Sequence, residues 1–156
     1  MLSLFIIQVL NGLQFGILLF LVAAGLTLVF GVMDFINLAH GVQYMLGAYL
    51  AVMFIGMTGS FPLGLVLALA VALAIGLALE FLVFRHLYAR SHLDQVLATF
   101  GLILLVNQSV KLLWGAAPLS VPVPEWLSGS VMLGDGILYP VYRFAILFAG
   151  LAVAGL

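Results

Sequence analysis

Long apolar runs alternate with short polar clusters along this chain. A bilayer core of about 30 Å needs about 20 apolar residues in a helix, and five stretches meet or approach that length. The first runs from about Ile7 to Phe30 and the second from about Leu38 to Met57. A third begins after Thr58-Gly59-Ser60, with Pro62 suited to the first turn of a helix, and reaches Phe84. The fourth runs from about Gln95 to Trp114, and a fifth starts near Pro140 and is still apolar at Leu156. The pattern predicts an all-α, polytopic transmembrane helix bundle of about five spans, residues 1–156 forming a single membrane domain.

The connections are polar and short, with one exception. Residues 31–41 (GVMDFINLAHG) place Asp34, Asn37 and His40 between two apolar runs. Polar groups at membrane depth are costly and line cavities, helix interfaces or the water boundary. Gly31 can close one helix in a left-handed turn, and Asp34 or Asn37 can cap the next. A helix break or turn near 31–41 is therefore expected, serving either as a discontinuous element beside a transport path or as a plain interfacial turn. Residues 85–94 (RHLYARSHLD) read as a solvated loop. Residues 115–139 form the longer connection, with Pro118, Pro122, Pro124, Glu125 and Asp135.

Composition narrows the class. The chain is 67% hydrophobic and 6% charged, against about 25% charged in soluble domains. The net charge of −1 offers no basic patch for nucleic acid, so membrane lipid is the expected surroundings. Without cysteine there is no thiolate site. His40, His86 and His92 have no metal-ligand spacing. No phosphate-cradling loop or nucleophile elbow occurs, so no catalytic residue, cofactor or metal is assigned. The apolar start, Met1 to Met33, has no basic segment and is too long for a signal peptide.

Arg85 and Arg90 mark the 85–94 loop as cytoplasmic, and the 115–139 loop, without a basic residue, as external. Lys111 and Arg143 lie within helix ends, where long side chains reach the interface. Glu80 is the acid deepest in an apolar run, about one turn from Arg85. Gly12 with Gly16, and Gly47 with Ala51, have the spacing that lets helix backbones approach. Asn11, Gln14, Thr27, Gln43, Tyr44, Tyr49, Asn107 and Gln108 are polar groups available for interhelical hydrogen bonds. Trp114, Trp126, Tyr139 and Tyr142 suit an aromatic belt.

Residues 25–51, GLTLVFGVMDFINLAHGVQYMLGAYLA, resemble the N-terminal signature of the branched-chain amino-acid ABC transporter permeases. Asn11, Gly12 and Gly16 match that family's opening helix, Gly25 to Gly31 its GLTL segment, and Ile36 to Gly41 its most distinctive element, followed by Tyr44, Met45 and Gly47 to Tyr49. Arg85 to His92 and Leu97 to Leu102 match a later element. The resemblance implies a multi-pass permease of the bacterial inner membrane, importing branched-chain or related amino acids. It implies a second permease subunit (identical or homologous), two cytoplasmic ATPases that perform the hydrolysis, and a periplasmic or lipid-anchored substrate-binding protein. Relatives are close to twice this length, so a truncated permease domain is expected. Asp34, Asn37, His40, Gln43 and Tyr44 are the candidate translocation-path or helix-break residues. Urea or short amides are an alternative cargo within the family. An ion-coupled secondary transporter, using Glu80 or Asp34, and a non-transporting assembly subunit are the rival readings outside it.

Overall fold

The computed structural model describes residues 2–121, 123–132 and 138–155. Asp135 and Pro122 lie outside them. Five α-helices follow in chain order: α1 (Leu2–Met33), α2 (His40–Thr58), α3 (Phe61–Leu82), α4 (His92–Trp114) and α5 (Val141–Ala154). The first four are long and apolar enough to cross a membrane, and α5 is a shorter apolar helix. Helix is the form an apolar chain takes in lipid, because it satisfies its backbone internally. The chain is an all-α, multi-pass membrane protein. It divides into two compact units, residues 1–25 with 122–156 and residues 26–121.

In the larger unit, α2 and α3 form a helical hairpin. Gly59 closes α2 with φ of 65° and donates its N–H to Ile55 O at 2.9 Å. The Thr58 hydroxyl donates to Phe54 O at 2.7 Å and accepts from the Ser60 N–H at 3.3 Å. Pro62 sits in the first turn of α3, where its missing N–H costs nothing. Gly64 makes the close approach: a β-carbon there would stand 2.6 Å from Ile55 Cα. Gly12, Gly16 and Gly47 have open space where a β-carbon would lie. Within the described residues of this unit the close approach therefore falls at Gly64, because spacing carries no information about which neighbour arrives.

A 3-10 turn (Phe84–His86) and further turns join α3 to α4. Helix α4 begins at His92, earlier than its apolar run, because Ser91 caps it: Ser91 Oγ accepts the Asp94 N–H at 3.3 Å. The core of this unit gathers Phe35, Ala39, Phe84, Leu102, Val106 and Val110. Phe35 is its anchor, with ring centroids 5.5 Å from Phe84 and 5.1 Å, edge-on, from Tyr88.

In the smaller unit, the described part of the long connection contains two short strands. Ser130–Met132 (β1) pairs antiparallel with Leu138–Pro140 (β2), Val131 opposite Tyr139. The Gly129 carbonyl accepts the Val141 N–H at 2.9 Å, tying the hairpin to the start of α5.

Candidate functional site

The break between α1 and α2 covers residues 34–39. It forms later than glycine chemistry predicts. Helix α1 runs through Gly31 to Met33, and Asp34 itself takes the left-handed conformation, with φ of 50°. Asp and Asn tolerate that region better than most side chains. Neither Asp34 nor Asn37 caps α2. The N-cap position is Ala39, with no side-chain cap bond. Asn37 instead turns the chain: its Oδ1 accepts the Ala39 N–H at 3.0 Å, and its carbonyl accepts the His40 N–H at 3.3 Å.

A buried, non-helical backbone needs partners that a helix would not. They come from α4. Gln95 Oε1 accepts the Ile36 N–H at 3.0 Å, and Thr99 Oγ1 accepts the Leu38 N–H at 3.3 Å. Gln95 and Thr99 lie four residues apart, about one turn along α4, so one face of the helix serves both donors. Gln95 and Thr99 are 2% and 0% exposed. Both are fixed in turn: Gln95 Nε2 donates to Leu87 O at 3.3 Å, and the Thr99 hydroxyl donates to Gln95 O at 2.7 Å. Phe35 and Ala39 point inward from the break, 1% and 0% exposed. Outside, Asp34 Oδ2 lies 3.4 Å from His92 Nε2, both side chains more than half exposed.

The five candidate residues lie along the break and the first turns of α2. Asp34 is exposed and Asn37 buried at the break, and His40 opens α2 half-buried. Gln43 lines a groove of about 360 Å³ with Leu46 and Gly47 of α2 and Ala72, Ile75 and Gly76 of α3. Tyr44 is 57% exposed and is not part of that groove. Gln95 and Thr99 escape a search for charged or signature residues. Their visible signal is spacing: they share a face of α4 with Leu102, Val106 and Val110.

Nearby, Glu80 pairs with Tyr88 rather than Arg85. The Tyr88 hydroxyl donates to Glu80 Oε2 at 2.5 Å. Burial first, then the hydrogen bond and negative charge of Glu80, push the Tyr88 phenol up to about 12. Arg85 stacks 3.7 Å over the Phe81 ring. Among the described residues, no three His, Asp or Glu side chains come together as metal ligands.

The family model for the branched-chain amino acid transport system / permease component matches residues 8–156. The chain belongs to this permease family. The Salmonella typhimurium high-affinity branched-chain amino acid transport system permease protein LivH is 30% identical over 138 residues, 81% of this chain and 45% of that protein. LivH of Escherichia coli K12 is 30% identical over 83% of this chain and 44% of its own length. BraD of Pseudomonas aeruginosa, described in the same words, is 29% identical over 82% of this chain and 44% of its own. The chain thus spans less than half the length of the permeases it matches. No solved structure matches it. Within this permease family member, the family-like segment 36–41 covers the last four residues of the break and the first two of α2, and the later element, 85–92 and 97–102, contains Thr99 and flanks Gln95.

Proposed function

We propose that this chain forms part of the membrane conduit of an ATP-driven importer of branched-chain amino acids. The observation that carries this reading is the permease match through residues 8–156, joined by relatives that transport branched-chain amino acids. The conduit works in the inner membrane with a second permease copy or homologue. Two cytoplasmic ATPases hydrolyse ATP, and an external binding protein delivers substrate. This chain supplies helices that change packing as access alternates between the two faces. The broken segment 34–39 lies at the cytoplasmic boundary, with the 85–94 loop, and the 115–139 connection lies outside. Arg85 and Arg90 support that orientation. Asp34, Asn37 and His40 act as the shaped end of a discontinuous helix pair, and Gln43 faces the α2–α3 groove.

Uptake of radiolabelled leucine, isoleucine and valine in cells with and without the full-length gene tests the proposal. Loss of uptake on disruption, restoration by the gene, and sensitivity to ATP depletion are expected, with urea uptake unchanged. Urea uptake that follows the gene, while leucine uptake does not, would replace the cargo. Leucine uptake that survives ATP depletion but collapses with the ion gradient would overturn the ATP-driven mechanism.

A further inference from the structure

Arg143 stands where local electrostatics disfavours it. It is the third residue of α5, whose first turn holds no acidic residue. The positive end of the helix dipole lies there and favours Asp or Glu over Arg. A cation at the end of an apolar helix can snorkel to the interface, but Arg143 instead engages a neighbouring helix.

Its guanidinium turns onto α1. An Nη1–H donates to Asn11 Oδ1, and the Nε–H donates to the Tyr142 hydroxyl at 3.2 Å. The Tyr139 hydroxyl donates to the same Asn11 oxygen at 3.4 Å. The Tyr139 ring, 1% exposed, packs edge-on against Phe144 at 5.0 Å and lies 5.9 Å from the guanidinium carbon. These acceptors are all neutral. Among the described residues, the ion pair found is His92 with Asp34, not one at Arg143.

The helices hold this arrangement in register. Asn11 meets Arg143, and farther along Ile17 meets Gly150, so α5 runs parallel to this part of α1. A β-carbon on Gly150 would stand 2.3 Å from Ile17 Cγ2. That close approach keeps the guanidinium beside α1.

Asn11 Oδ1 therefore occupies the point where Arg143 and Tyr139 donors converge. A carboxylate oxygen would accept the same two bonds and also neutralise the charge, which an amide cannot do. We propose that Asn11, Tyr139 and Arg143 form a carboxylate-binding station that takes the α-carboxylate of the transported amino acid. This assignment of the ligand rests on the importer reading above. In the loaded station the carboxylate accepts from the guanidinium fork and the phenol, and Asn11 turns its Nδ2–H to the ligand. Asparagine, rather than aspartate, at position 11 leaves the guanidinium charge without a carboxylate from α1.

The test uses the purified full-length permease in detergent, with thermal stabilisation by titrated ligand as the readout. Leucine and isocaproate, which carry a carboxylate, raise the melting midpoint. Leucinamide, which keeps the amine and side chain but lacks the carboxylate, does not. Arg143→Gln weakens leucine by roughly ten- to hundredfold, the value of a charge-assisted hydrogen bond, and Arg143→Lys falls between. Asn11→Asp places an internal carboxylate in the station. It abolishes stabilisation by leucine while its ligand-free midpoint stays at or above the wild type, so it decides the matter even if Arg143→Gln fails to fold. Equal stabilisation by leucine and leucinamide, wild-type leucine binding in Asn11→Asp, or a response to phosphatidylglycerol alone would each overturn the station. Leucine uptake in cells separates the two readings. Wild-type uptake with an unaltered Asn11→Asp variant removes the station and leaves the importer. Carboxylate-selective stabilisation without any leucine uptake removes the importer and leaves the station.

Discussion

Gln95 Oε1 accepts the backbone N–H of Ile36 at 3.0 Å, across 59 positions of sequence. One side chain on α4 thereby satisfies a backbone donor in the break between α1 and α2. The buried amide also anchors the turn before its own helix, through Leu87 O. Removing it leaves the Ile36 N–H without that acceptor, while Leu87 O keeps the Arg90 N–H at 2.9 Å.

Gln95→Ala should therefore destabilise the protein by about 2 kcal/mol, within the range for a buried donor left unsatisfied. Thr99→Ser, which keeps the hydroxyl, should cost less than Thr99→Val, which loses the Leu38 contact. Melting midpoints of the purified full-length variants check this. Gln95→Ala melting with the wild type would show that the break does not depend on α4.

Asp34 has φ of 50° without being glycine. The left-handed region costs an L-residue about 1–2 kcal/mol. Its exposed contact with His92 is worth about 0–1 kcal/mol. Strain relief outweighs the lost contact, so Asp34→Gly should be neutral or more stable by up to about 1 kcal/mol. Asp34→Val, β-branched in the same conformation, should be less stable than either. Denaturation of the three proteins side by side gives the order.

Gly64→Ala brings a β-carbon to 2.6 Å from Ile55 backbone atoms and should cost about 1–3 kcal/mol through overpacking. Gly47→Ala meets nothing within 4 Å and should be neutral or stabilising by up to about 1 kcal/mol. A reversed order in thermal unfolding would mean that α2 and α3 do not pack at Gly64.

Tyr88 should ionise late. Its phenol is raised from 10.0 to about 12, so the folded state holds that proton more tightly than the unfolded chain. The resulting stability is present below about pH 10 and is lost as pH rises through about 12. Phenolate absorbance compared between wild type and Tyr88→Phe isolates this group. Glu80→Gln should move its titration down, but not fully to the ordinary value, because burial is the leading cause.

Cysteine scanning tests the orientation on a chain with no cysteine of its own. Ala89→Cys, exposed and clear of the Ser91 cap, should resist an impermeant thiol reagent in intact cells and react after permeabilisation. Ser128→Cys, exposed in the long connection, should react in both. External labelling of Ala89→Cys would invert the topology.

The sequence by itself determined that this is a helical membrane protein with a break near residue 34, and which transporter family it belongs to. Hydropathy suffices for the first because lipid offers no hydrogen bonds, so an apolar run of this length must be helix. The clustered polar residues between Phe30 and Val42 locate the break for the same reason. The family follows from residues 25–51, a local pattern that needs no neighbour to be read. Only the tertiary structure decided that Gln95 and Thr99 hold the break, that Gly64 and Gly150 make close approaches, and that Arg143 turns to Asn11. Helical periodicity says which residues share a face. It does not say which helix meets that face, because in lipid apolar surface finds similar surroundings everywhere. Close packing and polar pairing between distant segments make that choice.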